Sequence, residues 1–336
     1  MTQARKLRLL SIIFLGISLT VVLSFASLSL GASKVGLWEI IGILVGERTE
    51  GMRIILDIRL PRLLSAIVVG ASLSAAGAVM QGLFRNPLVD PYIGGVASGA
   101  AFGAVVSIVF GLSLFSPFSA YGIPLSAFLG AITALSMTIL FSRLGGGSPL
   151  SLILSGIAVS FLFSAATSLA LVIGGEKSFG AFFWLFGSFV AASWRHLALT
   201  LPASIITLGY ILVHARKLNV VLLGDEEARQ LGVNITLLRY SMLVSLSLLT
   251  ALAVSFNGII GFVGLVAPHI ARLIVGEDYR LLLPLSILTG SWLLLASDLA
   301  SRLILAPAEL PVGAITSLTG APIFLHLLVK RAGRYG

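Results

Sequence analysis

Along this chain apolar residues fall into long runs separated by short polar segments. Taken by length, the runs near the ~20 residues that cross a hydrocarbon core are 9–30, 63–84, 92–111, 121–142, 150–174, 197–214, 236–256, 258–275, 281–300 and 312–329. The run 258–275 is the least secure, because Pro268 and His269 interrupt it near its end. The short apolar stretch Phe179–Val190 reads as an interfacial or re-entrant helix. The pattern predicts an all-α integral membrane protein with about ten transmembrane helices. Residues 1–336 form one transmembrane domain, and its longest polar loop is 215–235. At the N-terminus Arg5, Lys6 and Arg8 precede an apolar run to Leu30, which imitates a secretory signal. The run exceeds a usual signal core and no clear small-residue cleavage site follows, so it is read first as a retained helix, with a cleaved signal as the second reading.

Composition agrees with lipid as the solvent. Hydrophobic residues are 57% of the 336 and charged residues 10%, whereas a soluble domain carries about a quarter charged residues. With no cysteine, neither a disulfide framework nor a thiolate metal site is available. The net charge of +9 is scattered between apolar runs and forms no basic stripe, which sets nucleic acid aside.

Charge also orients the spans. With the N-terminus inside, Arg5, Lys6, Arg8, Arg85, Arg143, Arg216, Lys217, Arg229, Arg239, Arg272, Arg280, Lys330, Arg331 and Arg334 face the cytoplasm. Lys34, Arg48, Arg53, Arg59, Arg62, Lys177, Arg195 and Arg302 face outward, so the positive-inside bias puts both termini in the cytoplasm.

Small residues recur every four positions within several spans: Ala66, Gly70, Ser74, Ala78 and Gly82; Gly95, Gly99 and Gly103; Gly156, Ser160, Ser164 and Ser168. Such stripes let helices approach closely in lipid, and a second reading makes some of them the wall of an uncharged path. Neither a G-x-x-x-x-G-K-[ST] loop nor H-E-x-x-H is present. Asp298 and Arg302 are spaced as an i,i+4 ion pair near one end of their span, and His269 beside Pro268 reads as a packing residue. No built-in energy source is legible.

The loop 215–235 holds a short helix. Asp225 is a plausible N-cap, Glu226 and Glu227 suit the first turn, Gly232 suits the C′ position, and Asn234 can cap the next span. Two turns of helix are unstable alone in water, so this one is held by its own chain or by a partner. Val220, Val221, Leu222 and Leu223 either tuck under the membrane domain or dock a partner.

Three motifs then carry a resemblance. They are Arg59-Leu-Pro-Arg62 with Gly70-Ala-Ser-Leu-Ser-Ala-Ala-Gly-Ala-Val-Met-Gln81 and Asn86-Pro-Leu-Val-Asp-Pro91; Leu223-Gly-Asp-Glu-Glu-Ala-Arg-Gln-Leu-Gly232; and Gly261-Phe-Val-Gly-Leu-Val-Ala-Pro-His-Ile-Ala-Arg272 with Ala308-Glu-Leu-Pro-Val-Gly313 and Gly320-Ala-Pro322. In this order, over about 55–330, the chain resembles the permease subunit of the ABC importers for vitamin B12, ferric siderophores and haem (type II importers), a family shared by some molybdate importers.

The resemblance implies a permease dimer in the inner (plasma) membrane, read as a homodimer although some siderophore systems of the family pair two different permeases, with two ATPase subunits below it and a solute-binding protein above. ATP and Mg are then bound by the ATPase, with no cofactor in this chain. Leu222, Leu223, Gly224, Asp225, Glu226, Glu227, Ala228, Arg229, Gln230, Leu231 and Gly232 become the coupling segment. Arg59, Arg62 and Arg302 become docking residues for acidic side chains of the binding protein. Cytoplasmic gates fall at Asn86 and Leu88 and at Ser148, Pro149 and Leu150, although Gly145-Gly-Gly-Ser-Pro149 does not match the family residue for residue. On the residues alone two other classes stay open. An ion-coupled secondary transporter wants a mid-membrane acid or a pair of broken helices. An intramembrane enzyme wants a nucleophile or metal set, and none is found.

Overall fold

A computed structural model describes residues 3–31, 35–46, 49, 51–111 and 121–332. Of the basic residues assigned a side above, Lys34, Arg48 and Arg334 lie outside the described residues. The elements are α1 (Gln3–Ser29), α2 (Leu37–Val45), α3 (Leu60–Leu83), α4 (Val96–Phe110), α5 (Gly122–Leu144), α6 (Pro149–Gly174), α7 (Ser178–Leu185), α8 (Trp194–Val213), α9 (Ala215–Val221), α10 (Asp225–Gln230), α11 (Ile235–Asn257), α12 (Val263–Val275), α13 (Tyr279–Leu303) and α14 (Val312–Ala332). There is no strand among the described residues. Each predicted span contains one helix, six of the helical stretches among the described residues being long and apolar enough to cross a membrane, and the stretch expected to be interfacial or re-entrant contains most of α7.

Helix starts follow local chemistry. Ser148 caps α6 by accepting from Ser151 N at 3.0 Å, with Pro149 in the first turn where its missing N–H is no loss. Asn234 caps α11 through Leu237 N at 3.0 Å, as its position predicted. Asp278 caps α13 by accepting from Arg280 N at 3.1 Å.

Two spans are shorter than their apolar runs. Of 92–111 only 96–110 is helical, and of 258–275 only 263–275. At 1.5 Å per residue α12 rises only about 20 Å. Non-helical backbone at membrane depth survives only where protein groups satisfy it, and here the two lead-ins help each other. Tyr92 Oη donates to Ile260 O at 2.8 Å, and Thr138 Oγ1 donates to Gly94 O at 3.0 Å.

The centre of the bundle is α3, buried from Pro61 to Leu83 except at Leu64 and Ile67. Its small residues are seams. A Cβ on Gly70 would stand 2.3 Å from Gly290 O of α13, and one on Gly77 would stand 1.8 Å from Gly264 O of α12. Gly82 is covered by Tyr279, whose hydroxyl donates to Ala78 O at 2.8 Å. Gly99 and Gly103 meet Gly130 and Ser126 of α5 in the same manner. The seam reading therefore holds for these stripes. On α6 the stripe divides: Gly156 is packed against Ile93 O, while Ser164 and Ser168 are exposed. His269 is buried, in keeping with a packing residue.

Candidate functional site

Charged side chains gather at both ends of α3. Ahead of the helix, residues Ile54–Arg59 form a wide π-type turn in which Leu60 N bonds to Ile55 O. Pro61 explains it: the ring clashes with the carbonyl four residues back and has no N–H to donate. Leu56 O, the next acceptor in that pattern, is left open and is taken by Trp194 Nε1–H at 2.8 Å. The turn ahead of α3 is thereby fixed to the start of α8.

Arg62 then points inward. Its Nε donates to Asp298 Oδ1 at 2.8 Å and its Nη1 to Glu309 Oε1 at 3.0 Å. Arg302 Nε lies 3.2 Å from Asp298 Oδ2, the i,i+4 pair that the spacing predicted. Its other nitrogens donate to Ser27 Oγ at 2.8 Å, Ser27 O at 3.1 Å and Leu30 O at 3.2 Å. Arg59 donates to Leu28 O and Ser29 O. Three guanidiniums thus share two carboxylates and the carbonyl end of α1, where a helix favours cations. Arg59, Arg62 and Arg302, expected to meet acidic side chains of a binding protein, are 6%, 7% and 7% exposed and turn inward in this chain. Glu309, 35% exposed at its side chain, is the part of the cluster open to an incoming group.

At the other end α3 closes on Arg85, whose side chain reaches the predicted loop helix. The guanidinium pairs with Asp225, and Nε donates to Val221 O at 3.1 Å. Arg239 of α11 holds Asp225 Oδ2 at 3.1 Å. Asp225 is consequently not the N-cap; Gly224 occupies that position with φ +144°, and the carboxylate serves the two arginines instead. The C′ prediction holds. Gly232 has φ +79°, with Gly232 N on Arg229 O and Val233 N on Ala228 O, both at 2.9 Å.

The loop divides by burial. Val221, Gly224 and Ala228 are buried, and Leu222 and Asp225 partly so. Leu223, Glu226, Glu227, Arg229, Gln230, Leu231 and Gly232 are exposed, with Leu223 at 64% and Leu231 at 62%. So 215–221 tucks under the bundle, and 223–232 is anchored at Gly224 and Ala228 while its other side chains face outward or, like Asp225, are partly covered. Asn219 secures the tuck by donating to Asp278 Oδ1 and accepting from Tyr279 N, each at 2.8 Å. Hydrogen bonds from Arg280, with a further one from Asn219, hold the Asp278 carboxyl well below the usual range. Sequence reasoning missed this clamp, although an Asp just before an apolar run is an N-cap signal.

The gate candidates lie at this end. Asn86 Oδ1 accepts from Leu88 N at 2.9 Å, forming a tight turn that leaves Leu88 51% exposed. Ser148 and Pro149 start α6 and leave Leu150 exposed. A cavity of about 210 Å³, lined in part by Gln81, Arg85, Asn86, Leu222, Arg272 and Tyr279, separates α3 from the loop. Among the described residues no cluster of His, Asp or Glu could hold a metal ion. The short helices α4 and α12 are what a carrier reading asks for, and Asp90 lies in one lead-in, where its carboxylate accepts from Tyr92 N at 2.8 Å.

Comparison with known proteins decides between the classes. The profile of the FecCD transport family matches residues 19–330. The hemin transport system permease protein HmuU of Yersinia pestis is 40% identical over 321 residues, 93% of each chain. The cobalamin import system permease protein BtuC of Halobacterium salinarum is 44% identical over 278 residues, 82% of this chain and 73% of that one. A solved inward-facing ABC transporter assigned to the metal-chelate type superposes with a TM-score of 0.85 at 37% identity, covering 95% of this chain and 99% of that one.

Proposed function

The chain belongs to the FecCD transport family, is a multi-pass membrane protein with type II importer permease architecture, and from that premise we propose what it carries and with whom. It is the permease subunit of an ABC importer in the plasma membrane, translocating a metal chelate of the iron–siderophore, haem or vitamin B12 class. A solute-binding protein hands the chelate over, and separate ATPase subunits bind ATP and Mg and drive the cycle. A second copy of the chain completes the path. Relatives named for hemin, cobalamin and iron(3+)-hydroxamate support the chelate class.

The observation that carries the reading is the outward face of 223–232, with Leu223, Glu226, Glu227, Arg229, Gln230 and Leu231 exposed. A two-turn helix with apolar Leu223 and Leu231 turned outward is what a docking element for an external engine needs. The assembly purified with its ATPase and binding protein is expected to accumulate ferric hydroxamate, haemin or cobalamin in proteoliposomes only with ATP. Uptake of all three without ATP, or of none with it, overturns the proposal.

Residues 215–235 and both termini are cytoplasmic in this reading, and the arginine cluster is external. Because the chain has no cysteine, Glu226→Cys supplies a single label site. A membrane-impermeant maleimide is expected to reach it only from the cytoplasmic side; labelling from outside in sealed right-side-out vesicles defeats the orientation.

Coupling through α10 yields a second expectation. Gly232→Val puts a β-branched residue at φ +79°, where a Cβ costs roughly 1–2 kcal/mol. ATP-driven uptake should fall about tenfold while the permease stays folded, and unchanged uptake removes the coupling role from this segment.

Docking at the outer end takes a modified form. Buried as they are, Arg59, Arg62 and Arg302 meet a binding-protein carboxylate by exchanging partners, and Arg62 exchanges most readily because Glu309 is the exposed member.

A further inference from the structure

Where α3 ends, its backbone takes the Schellman form: Arg85 N bonds to Gly82 O at 3.1 Å and Asn86 N to Gln81 O at 3.0 Å. The C′ residue of this motif is left-handed and is usually glycine. Elsewhere in the chain the same place is held by glycine, Gly146 at φ +93° after α5 and Gly232 at φ +79° after α10. After α3 it is held by Arg85 at φ +48°. A residue with a Cβ persists there only where its surroundings over-determine it, so the side chain is retained at a cost to the backbone.

Static stability does not account for it. The Arg85–Asp225 pair is 41% and 37% exposed at its side chains, and pairs that face water contribute little. What the side chain does is connect. It joins Asp225, the first residue of α10, and Val221 O, the last residue of α9, to the backbone immediately before Asn86, Pro87 and Leu88. Arg239 braces the same carboxylate from α11. The cavity of about 210 Å³ beside the pair leaves room for the turn to shift relative to the loop.

We propose that Arg85 is a positioning residue that transmits movement of the coupling helix to the cytoplasmic gate. Displacement of α10 carries Asp225, Asp225 carries the guanidinium, and the left-handed Arg85 backbone swings the Asn86–Leu88 turn. The proposal rests on the coupling and gate assignments made above.

The test separates this from a backbone role. Arg85→Gly relieves the left-handed conformation, so the fold is retained or gains stability, while the connection is lost. In the permease copurified with its ATPase, Leu88→Cys is the permease's single thiol, and labelling is read on the permease band alone. Its labelling rate by a water-soluble maleimide is measured without nucleotide and with ATP plus vanadate. With Arg85 present the rate is expected to change at least fivefold between the two states; with Arg85→Gly the ratio collapses to near one. Asp225→Asn, which keeps shape and removes the charge, gives the same collapse, and Arg85→Lys restores part of the ratio.

A nucleotide-dependent ratio that survives both Arg85→Gly and Asp225→Asn overturns the transmission role and leaves the importer reading standing. A ratio near one with Arg85 in place instead sinks the gate reading, and the proposal with it.

Discussion

Replacing Gly77 with Val is expected to leave no stably folded permease. In lipid there is no hydrophobic gain from bringing helices together, so the bundle depends on close packing and interhelical hydrogen bonds. The α3–α12 contact is a backbone-on-backbone seam, where a Cβ on Gly77 would lie 1.8 Å from Gly264 O and 2.8 Å from Gly264 Cα. Relief requires the two helices to separate by more than an ångström, which also loosens the close approach at Gly264, where an added Cβ would stand 3.0 Å from Leu73 O. Overpacking usually costs about 1–3 kcal/mol, and a clash with unyielding backbone belongs at or above the top of that range. Domains have only about 5–15 kcal/mol in total. Gly209 of α8 is the control: nothing lies within 4 Å of its would-be Cβ, so Gly209→Ala should melt like the parent. Thermal unfolding in detergent, followed by size-exclusion recovery, measures both. A Gly77→Val variant with the parent's midpoint would refute the seam.

The second large effect is expected at Asp298. Its carboxylate is fully buried and meets Arg62 at 2.8 Å and Arg302 at 3.2 Å. Asp298→Asn keeps the shape and strips the charge, leaving two buried guanidiniums with one partly exposed carboxylate between them. Removing one partner of a buried ion pair costs about 3–5 kcal/mol. Glu309→Gln tests the same cluster at its wet edge, where the side chain is 35% exposed, and should cost under about 1 kcal/mol. Equal midpoint shifts for the two variants would mean that the cluster does not stabilise the fold through Asp298. The ordering matters for docking studies too, since reversing Arg62 to Glu would disturb the fold before it reported on a partner.

The sequence was most legible where lipid leaves the chain least choice. A backbone in hydrocarbon must satisfy itself as a helix, and so each apolar run returned as a helix. Gly232 and Asn234 were readable because a left-handed C′ and an N-cap each demand a short menu of residues. Run length, by contrast, is blind to whether an apolar segment is helical, and the lead-ins before α4 and α12 were hidden for that reason. The inward partners of the arginines were hidden for a different one. An arginine that snorkels outward and one that turns inward look alike in sequence when the acceptor is a carbonyl 275 positions away, as Ser27 O is from Arg302. Glu309 stood in a quoted motif without a role because nothing local pairs it with Arg62, 247 residues earlier.

The burial of α3 on nearly every side has a consequence for how the protein is made. Its closest seams are with α12 and α13, which begin at Val263 and Tyr279, about 200 residues after α3 leaves the ribosome. At roughly 5–20 residues per second, α3 waits about 10–40 s in the bilayer before those partners emerge. During that interval its glycine and serine stripes face lipid, or α4 and α5, without their final neighbours. Helix α3 is long and apolar enough to insert alone, so insertion and packing are separate events for it. Truncated nascent chains that end before α12 should therefore hold α3 across the membrane in a form that crosslinks to lipid. Chains long enough to expose α13 should lose that crosslink.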